Sequence, residues 1–107
     1  MYVIGISACP TGIAHTYMAA DAIEKAAKNI GASYKVETQG SIGIENKLSD
    51  EDIRNADIIV ITAAVAVREF ERFEAFKDKI FEVSLQNVIV NGDELIKNEM
   101  INRGVLK

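Results

Sequence analysis

The sequence predicts an α/β fold: a single domain over residues 1–107, with a four-stranded parallel sheet flanked by helices on both faces. Three observations carry this. Residues 2–7 (YVIGIS) and 57–62 (DIIVIT) are short, β-branched and almost wholly apolar, as strands buried on both sides are. Segments of helical period lie between such runs, so the chain reads as successive βαβ units. No repeat, low-complexity tract or Pro/Gly/Ser linker divides the 107 residues, a length that buries one core without disulfides or metal.

The first strand, 2–7, is followed by residues 13–30, alanine-rich, with Ala19, Ala22, Ile23, Ala26 and Ile30 at helical spacing. Gly31 stands where a helix C-terminal glycine belongs. Residues 34–39 alternate as a second strand, with Tyr34, Val36 and Thr38 on one face and Lys35, Glu37 and Gln39 on a polar one. Residues 40–46, with two glycines, read as a loop. Ser49 and Asp52 have N-cap spacing for a short helix through Asn55, and 57–62 is the third strand. Residues 68–78 are charged, with Phe70, Phe73 and Phe76 spaced to point inward from a short helix. Residues 79–83 form the fourth strand, and the remainder is helical around Leu95, Ile96, Met100 and Ile101, interrupted at Asn91-Gly92.

Composition narrows the function. Net charge is −4, with 49% hydrophobic and 26% charged residues, so the chain is globular and offers no basic face to nucleic acid. One cysteine makes no internal disulfide, apolar runs are too short to span a bilayer, and the N-terminus has no signal-peptide pattern. A cytoplasmic protein is the expectation.

The stretch ACPTGIAHT holds the one cysteine, the one proline and the one histidine of the chain. It falls at the first strand-to-helix turn, and in parallel α/β sheets ligands bind beyond the carboxyl ends of the strands. Such a turn aims backbone N–H groups and the positive end of the helix dipole at an anion, which suits phosphate. The same field favours thiolate at Cys9 and makes it a nucleophile. Gly12 admits a close-lying anion, Thr11 and Thr16 add hydroxyls, and Pro10 stiffens the loop. The opposing reading of Cys9 is a small buried hydrophobe; that of His15 is a surface or capping residue.

Other chemistries fit the spacing poorly. A Walker loop needs Gly-Lys after four residues, a dinucleotide fingerprint needs three glycines, and a thioredoxin-like pair needs a cysteine at Gly12. One Cys and one His are too few for a metal site, and no metal or organic cofactor is expected. A cysteine-dependent phosphatase is the serious rival, since its loop runs Cys, five residues, Arg. Here that sixth position is His15, which lacks the planar fork that grips two phosphoryl oxygens. A phosphocysteine without this clamp suits onward transfer better than hydrolysis.

ACPTGIAHTYMAADAIEKAAK followed by KVETQGSIGIEN resembles the IIB component of the fructose family of bacterial phosphotransferase systems, strongly over about residues 2–63. The resemblance implies that Cys9 accepts a phosphoryl group from a phosphohistidine of a IIA component. Cys9 then passes it to fructose, or a related hexose, held by the membrane IIC component. It implies a phosphate loop made of Pro10, Thr11, Gly12, Ile13, Ala14, His15 and Thr16, in which His15 either bonds the phosphoryl group or shapes the loop. Thr38, Gln39, Gly40 and Ser41, past the end of the second strand, are expected at the rim of the site or as an ordinary Gly-Ser turn. After Ala64 the chain departs from the family: at Val65 members more often carry an acidic residue, and 73–77 does not match their Arg-Phe-x-Gly-Lys. A regulatory IIB-like domain, with phosphorylation reporting sugar flux, is the third reading.

Overall fold

The computed structural model describes residues 1–9, 13–40 and 43–105, and of residues 13–15 the backbone only. Nine elements follow in order: β1 (Tyr2–Ala8), α1 (Ile13–Asn29), β2 (Ser33–Gly40), β3 (Gly43–Glu45), α2 (Asp50–Asn55), β4 (Ile58–Ala63), a 3-10 helix (Phe70–Lys79), β5 (Ile80–Glu82) and α3 (Leu85–Asn102). They build one sheet in the order β3-β2-β1-β4-β5, so β1 is central. β1 pairs in parallel with β2 and β4, and β4 with β5.

The expected four parallel strands are all present, but the sheet is five-stranded and mixed. β3, within the stretch read as a loop, folds back antiparallel on β2 with Thr38 opposite Glu45 and Gly40 opposite Gly43. Three residues carry no readable period, and what makes them a strand is the unpaired edge that β2 would otherwise present.

Helices cover both faces, as predicted. On one face α1 and α3 bury Val3, Val36, Ile58 and Val60 beneath Ala19, Ile23, Ala26, Val88, Ile96 and Met100. On the other, Ile4, Ile6, Ile59 and Ile61 pack against Leu48, Ile53 and Phe73. Alternation along each strand assigns the faces, and near-continuous burial of β1 and β4 follows from having both covered.

Local sequence explains most boundaries. α1 ends as expected at Gly31, whose φ of +75° allows Gly31 and Ala32 N–H to donate back to Lys28 and Ala27 carbonyls. Ser49 and Asp52 cap α2 reciprocally, at 3.1 and 3.0 Å. The 3-10 helix matches the spacing of Phe70, Phe73 and Phe76, since a repeat of three is the period of that helix. Phe73 is fully buried and its neighbours half-buried. Asn91 kinks α3 (φ −128°, ψ 23°) rather than ending it. No helix among the described residues is long and apolar enough to cross a membrane.

Gly5 sets how closely α1 approaches β1. A Cβ there would lie 3.1 Å from Ile23 Cδ1 and 3.2 Å from the Val60 carbonyl, whose backbone cannot yield. Gly5→Ala is therefore expected to cost about 1–3 kcal/mol by overpacking, read as a lower urea midpoint with unchanged m-value.

Candidate functional site around Cys9

Cys9 directly follows the central strand, and α1 begins four positions later at Ile13, so the cysteine stands at the carboxyl edge before a helix N-terminus. It is half-buried. Its N–H donates to the Gln39 carbonyl at 3.1 Å, and Ala64 N–H donates to the Ala8 carbonyl at 2.9 Å, so β2 and β4 both hold the end of β1. Ser7 Oγ donates to the Thr16 carbonyl at 2.9 Å and ties the first turn of α1 to the sheet. Residues Pro10, Thr11, Gly12 and Ser41 lie outside the described residues, as do the side chains of Ile13, Ala14 and His15. The backbone of 13–15 forms the start of α1.

Two polar layers underlie this edge. On the α1 face the strand register aligns Thr38, Ser7 and Thr62 in one row across β2, β1 and β4, all buried. Thr62 Oγ1 has no hydrogen-bond partner among the described residues. The row lies two positions before Cys9 along β1.

The second layer is on the opposite face, the polar one of β2. Glu37 and Gln39, which share the expected polar face, are buried, with Glu37 entirely inaccessible. Glu37 accepts two bonds from the Arg72 guanidinium, at 2.7 and 2.9 Å. It also accepts the Leu48 N–H at 2.8 Å and the Gln39 amide at 2.6 Å. Arg72 reaches the Leu48 and Glu69 carbonyls as well, at 3.1 and 2.9 Å. Burial pushes the Glu37 carboxyl up. The Arg72, Gln39 and Leu48 donors and the guanidinium charge outweigh it and hold the carboxyl below its usual range.

Gln39 joins this layer to the site. Its amide oxygen accepts Arg68 N–H at 2.7 Å and its amide nitrogen donates to the Arg68 carbonyl at 3.1 Å, while its own carbonyl holds Cys9. Of the expected rim residues, Thr38 and Gln39 are thus buried supports next to the Cys9 strand, and Gly40 is half-buried at the end of β2. Sequence reasoning missed Arg72 as a site support. Its signal was faint: a charged residue beside inward-facing Phe73, whose partner is 35 positions away. Ile61, Ala63, Val67, Phe70, Glu82, Val83 and Ser84 line a cleft of about 410 Å³ at the carboxyl ends of β4 and β5.

With this geometry in place, comparison with known proteins decides the family. Residues 4–98 match the family model described as "PTS system, Lactose/Cellobiose specific IIB subunit". The chain belongs to the phosphotransferase-system IIB family. Within it, the chain is 47% identical over 100 residues to PTS system fructose-like EIIB component 1 of Escherichia coli K12, covering 92% of this chain and 91% of that one. Identity to fructose-like EIIB component 2 of the same organism is 44% over 94 residues, 88% of this chain and 87% of that one. The solution structure of an enzyme IIB subunit of the E. coli K12 PTS superposes with TM-score 0.87 at 42% identity, covering 96% and 94% of the two chains. A domain from a fructose-specific IIABC component of Borrelia burgdorferi gives 0.83 at 41%, covering 94% and 93%. This IIB chain is a component of a fructose-like phosphotransferase system, with a sugar phosphotransferase role.

The polar layers make two stability predictions. Arg72→Leu leaves a buried unpaired carboxylate and is expected to cost about 3–5 kcal/mol, far more than the double replacement Glu37→Leu/Arg72→Leu. Because the folded Glu37 pKa lies below its unfolded value of about 4.3, the pair's contribution is complete above that pH and is lost as pH falls through the folded pKa. Unfolding free energy followed in acid should fall with decreasing pH, and less steeply in the double variant. Asp52, held low against burial by Lys35, Ser49 and Tyr2, keeps part of the slope. Thr62→Val removes an unpartnered hydroxyl and should leave the melting temperature unchanged or raised.

Proposed function

We propose that Cys9 is the phosphoryl-carrying residue of this IIB chain, working as one domain in the cytoplasm. The observation that carries the reading is the position of Cys9, at the carboxyl end of the central strand and just before the N-terminus of α1. A fixed positive dipole end and inward N–H groups there favour thiolate and then the bound phosphoryl group. The phosphate loop is residues 10–16, that is Pro10, Thr11, Gly12, Ile13, Ala14, His15 and Thr16, with Thr38 to Ser41 at or beneath its rim.

The donor is a phosphohistidine of a IIA component. The Cys9 thiolate attacks phosphorus in line, the S–P bond forms as the N–P bond breaks, and the leaving imidazole takes up a proton from solvent. In the second step a hydroxyl of fructose or a related hexose, held by the membrane IIC component, attacks the same phosphorus. The C–O–P ester forms, the S–P bond breaks, the thiolate is regenerated and the hydroxyl proton passes to solvent. The chemistry needs no metal or organic cofactor from this chain.

Intact-mass measurement tests it, after incubation with phosphoenolpyruvate, the two general phosphocarrier proteins and a fructose-type IIA protein. One phosphoryl adduct is expected on the wild type and none on Cys9→Ser. Absence of an adduct together with release of phosphate from an aryl phosphate would replace the carrier reading with a hydrolytic one.

A further inference from the structure

The segment after β4 crosses the end of the strand that carries Cys9. It starts on the β4 side, where Ala64 N–H bonds the Ala8 carbonyl, and arrives on the β2 side, where the Gln39 amide holds both backbone groups of Arg68. Since β2 and β4 flank β1, residues 64–68 form a strap over its carboxyl end. The strap is anchored on the Leu48/Phe73 face, because Gln39 shares its side of β2 with Glu37. Ile13 opens α1, which packs on the other face.

One cation is fixed on that strap. Arg68 is exposed, and its guanidinium makes no hydrogen bond or ion pair among the described residues. Its backbone, by contrast, is held twice by Gln39, and Gln39 is held by the buried Glu37–Arg72 pair. Two hydrogen bonds, through Gln39, separate the Arg68 backbone from that of Cys9. Long side chains are costly to order, so a rigid base with a disengaged head suits a group that meets its ligand only during reaction. In a chain of net charge −4, the transferring phosphoryl group also needs a nearby cation to offset its dianionic charge.

We propose that Arg68 contacts the transferring phosphoryl group at Cys9, with Gln39 as the positioning residue that aims it. The inference rests on the phosphocysteine reading above. Arg68 supplies from the strap a cationic contact to phosphoryl oxygens, and the planar guanidinium offers two parallel donors. No bond is made or broken at Arg68; S–P formation and N–P cleavage proceed as described.

Rapid-quench kinetics of Cys9 phosphorylation by phosphorylated IIA protein, across IIA concentrations, test this with Arg68→Ala, Arg68→Lys and Gln39→Leu. Arg68→Ala should fold normally, because the side chain is exposed, and should lower the maximal transfer rate roughly tenfold or more. Arg68→Lys should restore part of the loss as a point charge. Gln39→Leu should slow transfer too, and combined with Arg68→Ala should add little, since both remove one contact. Two results overturn the proposal while the carrier reading stands: an Arg68→Ala maximal rate within twofold of wild type, or a change confined to the half-saturating IIA concentration, which would make Arg68 a docking residue. No phosphoryl adduct on wild-type Cys9 would overturn both.

Discussion

A carboxylate in a protein interior is tolerated only when charge and hydrogen bonds replace the water it has lost, and Glu37 imposes that condition on the region around Cys9. Its two oxygens take donors from Arg72, Leu48 and Gln39, drawn from three separate stretches of chain. Meeting the demands of this one group fixes where the 3-10 helix begins, where the chain runs before α2, and how the Gln39 amide is turned. A hydrophobic residue at 37 could fill the same space without holding β2, the 3-10 helix and the chain before α2 in one arrangement. The pair therefore gives geometry at the carboxyl edge more than it gives stability.

The edge also divides its work between the two faces of the sheet. On the α1 side a row of hydroxyls and the Ser7–Thr16 bond seat the helix N-terminus against β1. On the other side the Glu37 layer seats the strap. Cys9 stands where the two meet, with backbone bonds pinning its strand from both neighbours. Phosphoryl transfer consists mainly of positioning and charge stabilisation, so rigidity here is of direct chemical use. Cys9 itself is half-buried, so a strand end pinned on both sides still leaves it partly accessible.

The molecule keeps its charged networks local. Tyr2, Lys35 and Asp52 form a separate cluster, with the Tyr2 hydroxyl 2.9 Å from Asp52 and the Lys35 ammonium at the same distance. Burial and the Asp52 carboxylate push the Tyr2 phenol up to about 12, so it stays protonated throughout the physiological range. That cluster braces α2 against the amino ends of β1 and β2, away from Cys9.

Features that depend on near neighbours in sequence were legible without coordinates. Buried strands show as apolar runs, α1 as an alanine-rich period closed by Gly31, α2 by its Ser49–Asp52 box, and Cys9 by its place between a strand and a helix. Each rests on backbone preference or on contacts within a turn or two. Tertiary structure alone decided the rest. β3 exists because the edge of β2 needs a partner, and Asn91 bends α3 instead of ending it because packing on α1 and the sheet carries the helix through. Glu37 and Gln39 read only as part of the polar face of an alternating strand, and that face is buried because Arg72 and Arg68 come to it from beyond β4. Alternation tells which side chains share a face, but whether that face meets water depends on what the distant chain places over it.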